Sequence, residues 1–194
     1  MVLLFLLCAF CVNACAAGLL PCGKAIRFTA AWFEDPELDN SKSSGEITTI
    51  GASVRSKGTQ IGHVVVQTRL AVLPQESCAG WVVRLDFVKP VLRVAKEMAP
   101  GSCAYARVLN HEQTHVRIYR DIARDFRELD FPWPERASNA SVLAYARLQL
   151  DRLMLAQAQF DSAEEYAKNQ TVCGGEILRL VEPTAPARSI QKPG

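Results

Sequence analysis

The stretch that follows the first two dozen residues alternates apolar and polar positions in the manner of β-strands. Four runs rich in valine, isoleucine, threonine and aromatic residues lie between glycine, serine, asparagine and proline, at residues 25–32, 46–54, 61–72 and 81–88. Runs of this kind, bounded by turn-forming residues, are typical of strands. Because several of them alternate apolar and polar side chains, the sheet should bury one face and expose the other to solvent, as antiparallel sheets commonly do. The pattern therefore predicts an N-terminal antiparallel β-sheet within residues 24–96.

After residue 100 the spacing of apolar positions changes to the three-and-four pattern of amphipathic helices. One inward-facing stripe runs along residues 103–128 and consists of Ala104, Val108, His111, His115, Ile118 and Ile122. A second stripe lies within residues 139–173 and consists of Leu143, Ala146, Leu150, Leu153, Gln157, Phe160 and Glu164. Side chains at these intervals share one face of a helix. The pattern predicts two long helices, which should pack antiparallel because a short connection joins them.

The ends of these helices are predicted from residues that cap or break helices. Ser102 is suited to begin the first helix, and Ser138 or Asn139 the second, because their side chains can accept hydrogen bonds from the first turn. A Phe-Pro-Trp-Pro segment forces a loop between the helices, and Gly174 and Gly175 should end the second one. An antiparallel sheet followed by two long antiparallel helices makes an α+β fold.

The first twenty residues are almost wholly apolar and carry no charge. The small residues at their end are typical of a signal peptide and its cleavage zone. Three outcomes stay open, namely cleavage by a signal peptidase, lipidation of Cys15, or retention of the segment as a membrane anchor. We expect an exported protein, secreted or periplasmic, with a single domain over residues 21–182 and a flexible tail over residues 183–194.

Outside the leader the chain has four cysteines, Cys22, Cys78, Cys103 and Cys173. An even number suits disulfide bonds in an oxidising compartment. Cys103 opens the first predicted helix and Cys173 closes the second. A bridge between them would clamp the two helices and leave Cys22 to pair with Cys78. The alternative is that some of these thiols stay reduced and buried.

The charge of the chain excludes one class of partner. The sequence has 22 lysines and arginines against 20 aspartates and glutamates, a net charge of +2, and the basic residues are scattered. Binding to a phosphate backbone requires a basic stripe or patch. We therefore expect no nucleic-acid partner.

The candidate chemistry lies in the first helix, in the pentapeptide H-E-Q-T-H at residues 111–115. On a helix of about 3.6 residues per turn, His111 and His115 project from one face a turn apart, so both imidazoles can reach one metal ion. H-E-x-x-H is the arrangement in which two histidines hold Zn²⁺ and the glutamate, here Glu112, is general base toward a metal-bound water. Imidazoles within an apolar stripe need partners, which a shared metal would provide. His63 lies on a predicted strand and is interpreted as structural.

The leader, the β-rich half and H-E-Q-x-H followed by Ile118 and Tyr119 resemble the bacterial family of predicted secreted zinc-dependent proteases. That family also carries, late in the second helix, an aromatic–Asp pair followed by a Thr-x-His-Gly segment. Phe160 and Asp161 match the pair. The segment has other residues at its Thr, His and Gly positions, namely Glu164, Tyr166 and Ala167. The resemblance implies a zincin-like metallopeptidase domain.

A catalytic zinc needs a third protein ligand and an open position for water. Asp161, Glu164 and Glu165 share one face of the predicted second helix. The apolar stripe favours Glu164, whereas the resemblance favours Asp161. We take Asp161 as the prediction, with Glu164 and Glu165 as open alternatives. Two imidazoles and one carboxylate favour Zn²⁺, at one ion per chain.

The function predicted from these residues is that of an exported zinc-dependent metallopeptidase, with a peptide or protein as its substrate. Glu112 would activate the water that attacks the peptide bond. The alternative is a non-catalytic exported binding module, in which the metal site is structural or degenerate. Glu112 discriminates between the two, because a purely structural zinc site has no need of a carboxylic acid beside its ligands.

Overall fold

A computed structural model describes residues 25–32, 35–51, 59–75 and 80–181, and it has an α+β fold, as predicted. The strands are β1 (Ile26–Trp32), β2 (Glu37–Asp39), β3 (Gly62–Pro74) and β4 (Trp81–Val94). The helices are α1 (Ser44–Gly51), α2 (Cys103–Arg127), α3 (Asn139–Phe160), α4 (Ala163–Thr171) and α5 (Glu176–Val181). The predicted leader with Cys15, the predicted Cys22–Cys78 pair and the predicted tail lie outside the described residues.

The sheet is organised around β4, with which the other three strands pair. β1 and β2 run parallel to β4, whereas β3 runs antiparallel to it. The prediction of an antiparallel sheet is therefore wrong, because the sheet is mixed. Alternation of apolar and polar residues reports which face of a strand is buried, but it carries no information about the direction of the neighbouring strand.

The segment that we predicted as a strand at residues 46–54 is helical in its described part, where α1 occupies Ser44–Gly51. Its isoleucines and threonines favour strands, but local hydrogen bonds favour the helix. The Glu46 carboxylate accepts hydrogen bonds from the backbone N–H and hydroxyl of Ser43, and the Ser43 hydroxyl accepts one from the Glu46 N–H. This reciprocal cap satisfies backbone donors that the first turn leaves without partners. Propensity alone therefore gave the wrong element.

The long helix α2 begins and ends within one residue of its predicted bounds. The Ser102 hydroxyl accepts a hydrogen bond from the Tyr105 N–H at 3.1 Å and so caps the first turn, as predicted. The other long helix, α3, is capped by Ser138, which was one of the two predicted caps. α2 and α3 have 25 and 22 residues and pack against each other.

The second helix ends earlier than predicted. α3 stops at Phe160, and the chain resumes as a separate helix, α4, for which the Ser162 hydroxyl accepts a hydrogen bond from the Glu165 N–H at 3.2 Å. The predicted end at Gly174 and Gly175 is wrong because Ser162 caps a new helix within the predicted one.

The apolar core lies between the sheet and the two long helices. One cluster joins β1 and β4 to α2 and α3 through buried residues that include Phe28, Leu85, Phe87, Phe126 and Val142. A second cluster, around Val94, Met98 and Val108, joins the end of β4 to the first half of α2. None of the helices in the described ranges combines the length and apolar character that crossing a bilayer requires.

A disulfide bond joins Cys103 to Cys173, as predicted, with the two Cα atoms 5.5 Å apart. Cys103 is the first residue of α2, and Cys173 follows α4. The bond therefore holds the segment after α3 against the start of α2. Packing of α3 on α2 holds the chain before the break at Phe160, and the disulfide holds it after the break.

Candidate metal centre

Three side chains from two helices converge at the point where α3 ends. The Asp161 Oδ1 atom lies 3.2 Å from the Nε2 atom of His111 and 3.0 Å from the Nε2 atom of His115. The donor atoms of these three residues, which we call the donor group, all lie within 4.8 Å of one another. The histidine side chains are 9% and 11% exposed and that of Asp161 is 37% exposed, so the group is open on the carboxylate side.

The donor group has the chemistry of a transition-metal site. Imidazole nitrogens and a carboxylate oxygen are the ligands that Zn²⁺ and other first-row divalent metals take in proteins. Both histidines present their Nε2 atoms to the same carboxylate oxygen, so the three donor atoms converge on one point. The residues therefore fit a metal ion of this class.

The charges within the donor group stabilise one another. Burial alone would raise the pKa of Asp161, but hydrogen bonds from His111 and His115 hold it well below its usual range. Burial alone would lower the pKa of His115, but the hydrogen bond and charge of Asp161 raise it, with a further contribution from Gln157. A cation at this point is thus favoured by the protein, whether it is a proton or a metal ion.

The two rings of the donor group are held by neighbours on α3. The Phe160 ring stacks on His111, with centroids 4.6 Å apart and planes at 28°, and meets His115 edge-on at 5.1 Å. Gln157 makes two hydrogen bonds to His115. The sequence places both residues in the inward stripe of the helix and Phe160 in the aromatic–Asp pair, but it does not predict that they hold the imidazoles. The signal for Gln157 in the sequence is an amide between the apolar residues Leu153 and Phe160 of that stripe.

The alternative third ligands, Glu164 and Glu165, are not part of the donor group. Glu164 is 80% exposed and pairs with Lys168 at 3.0 Å. The Glu165 Oε1 atom lies 3.4 Å from Arg107 Nη2 and 3.9 Å from His111 Nδ1, the ring nitrogen that faces away from Asp161. The stripe favoured Glu164 only because it was extended past Phe160, where α3 ends. The side chain of Tyr166 lies outside what the structure describes.

Glu112 lies on α2 and is buried against Gly62, the first residue of β3, with 5% of its surface exposed. A Cβ atom placed on Gly62 would overlap its carboxylate and lie 2.7 Å from Val108 Cγ1, so the glycine leaves room for the acid. Burial raises the pKa of Glu112 to about 7, while the charges of His115 and His111 act in the opposite direction. A buried acid next to a ligand is therefore able to exchange a proton near neutral pH.

His63 follows Gly62 on β3 and lies within electrostatic range of the donor group. Burial lowers its pKa, positive charges on Arg93 and His115 lower it further, and Asp161 acts in the opposite direction. Its buried Nδ1 atom makes no hydrogen bond to the described residues. It is not part of the donor group, and its structural role stays a prediction.

Comparisons of the chain with protein families, with curated proteins and with solved structures find no match. The likeness of the H-E-x-x-H region to secreted zinc-dependent proteases therefore stays a prediction. The chemistry of the site has to be inferred from its own residues.

Proposed function

We propose that the protein is an exported zinc-dependent metallopeptidase that hydrolyses peptide bonds. The observation that supports this most is a buried carboxylic acid, Glu112, directly beside a donor group of two imidazoles and one carboxylate. A site that served only to hold a metal would not need that acid, and burying it costs free energy. The export of the protein is proposed from the apolar leader.

The donor residues His111, His115 and Asp161 would hold the ion. Zinc, when bound, supplies a Lewis acid that polarises a carbonyl group and makes a water molecule acidic. Three protein ligands are the number that catalytic zinc sites use, since they leave room for water and substrate. The exposed side of Asp161 is the direction from which a substrate would enter.

Glu112 moves the proton in the proposed reaction. Its carboxylate accepts a proton from the attacking water as the water oxygen bonds to the carbonyl carbon. The C–N bond then breaks, and Glu112 delivers the same proton to the leaving amine. Packing against Gly62 and Val108 restricts the carboxylate to few conformations, which favours its alignment with the substrate.

The test is Glu112→Gln, which keeps the shape of the side chain and removes the base. Peptide cleavage should fall by about 10²- to 10⁴-fold, the usual contribution of a positioned acid–base group. Zinc content should stay the same because no ligand is changed. Glu128→Gln, at an exposed position just past the end of α2, is the matched control and should leave cleavage unchanged. Equal cleavage by the wild type and Glu112→Gln would exclude this mechanism.

A second candidate function is that of a non-catalytic exported binding module, in which a metal ion fastens the end of α3 to α2. The departure from the family segment favours this alternative, because Glu164, Tyr166 and Ala167 stand at its Thr, His and Gly positions. Absence of cleavage by both the wild type and Glu112→Gln across broad peptide libraries, with zinc bound, would select the binding module.

A further inference from the structure

The two hydrogen bonds between Gln157 and His115 determine where the proton of the imidazole lies. The Gln157 amide nitrogen donates to the His115 backbone carbonyl oxygen at 3.2 Å, and the Gln157 Oε1 atom lies 2.6 Å from the ring nitrogen Nδ1. A carbonyl oxygen can only accept, so the amide nitrogen has to face it. The Oε1 atom must then face the ring, and since it also can only accept, Nδ1 carries the hydrogen.

This arrangement leaves the other ring nitrogen as the ligand. A neutral imidazole has one N–H, so a hydrogen on Nδ1 leaves the lone pair on Nε2 for a metal ion. Without the ion, a second hydrogen on Nε2 makes the 3.0 Å hydrogen bond to Asp161 Oδ1, and the ion would take the place of that hydrogen. We propose that Gln157 is a positioning residue that holds His115 in the Nδ1–H form and presents its Nε2 atom to the metal. This inference rests on the proposed metal site.

The position of Gln157 on α3 supports the inference. The backbone N–H of Asp161 donates to the Gln157 carbonyl at 3.2 Å, so one helical turn supplies both a ligand and the residue that orients a second ligand. Metal-binding histidines generally donate their second ring N–H to an acceptor, which fixes both the ring and its tautomer.

The two histidines are oriented by different means. The Nδ1 atom of His111 lies 3.9 Å from Glu165 Oε1, beyond hydrogen-bond length, and the ring of His111 is stacked on Phe160. Both hydrogen bonds described for the Gln157 amide go to His115, so its effect should be largest at that ligand. An effect on His115 alone would distinguish the orienting role of Gln157 from a general loss of packing.

The first test measures zinc affinity by competition with a chelator in the full chain. Gln157→Met keeps the volume of the side chain and removes both hydrogen bonds, and should weaken zinc binding about 10- to 100-fold. Gln157→Glu keeps an acceptor for Nδ1–H and should restore most of the affinity, even though it cannot donate to the backbone. Gln159→Met, an exposed position on the same helix, is the matched control and should bind zinc like the wild type.

The second test reads the tautomer directly by long-range ¹H–¹⁵N NMR of the zinc-loaded protein. In the wild type, His115 should bind zinc through Nε2 and retain hydrogen on Nδ1, whereas Gln157→Met should show exchange of that hydrogen or a mixture of bound nitrogens. Wild-type affinity together with an unchanged His115 spectrum in Gln157→Met would overturn the inference and leave the metal site standing. Absence of zinc binding by the wild type would instead overturn the proposed function.

Discussion

Burying a carboxylic acid costs free energy, and Glu112 is the one acidic residue that the described part of the chain buries. Its pKa of about 7 is a measure of that cost. The histidines beside it face the opposite problem, because burial removes them from water while Asp161 supplies the charge that compensates. The site thus combines one group that destabilises the fold, Glu112, with a donor group whose three members stabilise one another.

The cost at Glu112 should be measurable in metal-free protein as a dependence of stability on pH. Because the folded pKa lies above the ordinary value of 4.5, the folded state holds the proton more tightly than the unfolded chain. The free energy of unfolding should therefore fall as the pH rises from about 4.5 to about 7 and then level off. Relative to the wild type, Glu112→Gln should gain about 2–3 kcal/mol between about pH 5 and about pH 8.

Chemical unfolding of both proteins in the presence of a chelator measures this difference. Titrations of groups distant from Glu112 occur in both proteins and cancel in the comparison. The charge of Glu112 also raises the pKa of His115, and this effect is lost in Glu112→Gln. If the stability difference between the wild type and Glu112→Gln stayed constant over this pH range, burial would not raise the pKa of Glu112.

Gly62 should matter because the carboxylate of Glu112 occupies the space where a side chain would be. In Gly62→Ala, the new methyl group overlaps that carboxylate, and overpacking of this kind costs about 1–3 kcal/mol. Cleavage should fall because Glu112 has to move, while zinc content should be kept. The control is Gly45→Ala, where the nearest neighbour of the new methyl group is the Ser43 hydroxyl at 4.0 Å. Unchanged melting temperature and cleavage in Gly62→Ala would contradict this packing.

At the scale of elements, the break between α3 and α4 decides which carboxylate reaches the histidines. Asp161 follows the last residue of α3 and has ψ of 41°, outside the helical range, so its side chain does not continue the helical stripe. Glu164 would lie in line with Phe160 only if the helix continued. Two short-range signals, the loss of helical geometry at Asp161 and the cap at Ser162, therefore determine the composition of the donor group.

The elements that sequence predicted well are those fixed by local interactions. α2 has a serine cap and a long apolar stripe, and both His111 and His115 lie on its inner face as expected. α1 was missed because its cap competes with a strand-like composition. The three-residue strand β2 and the parallel direction of β1 depend on β4, which is distant in sequence, and no local pattern encodes them.

The disulfide should stabilise the arrangement of these elements. It closes a loop with a sequence separation of 70 residues, and bonds of this kind contribute about 2–5 kcal/mol, mainly by restricting the unfolded chain. The double variant Cys103→Ser/Cys173→Ser should unfold at a lower urea concentration and bind zinc more weakly, because the segment that follows the ligand Asp161 loses its covalent attachment to α2. Reducing agent should lower the stability of the wild type by more than that of the double variant, which keeps the predicted Cys22–Cys78 pair. Equal unfolding midpoints for the two oxidised proteins would contradict this role.

At the scale of the whole molecule, α2 connects the sheet to the donor group. Its apolar residues pack on β1 and β4, Glu112 meets the start of β3, and the histidines meet the end of α3. A metal ion bound by both helices would stabilise the folded chain in proportion to its concentration and affinity. The fold and the proposed chemistry therefore depend on the same contact between α2 and α3.

The metal content of the purified chain tests the central claim most directly. Elemental analysis of wild-type protein prepared without chelators should find about one zinc per chain, because His111, His115 and Asp161 together form one site. His115→Ala, which removes one ligand, should lose the metal, whereas Gln159→Met should retain it. Wild-type protein with no stoichiometric metal, or His115→Ala with a full complement of zinc, would contradict the claim that these three residues form a zinc site.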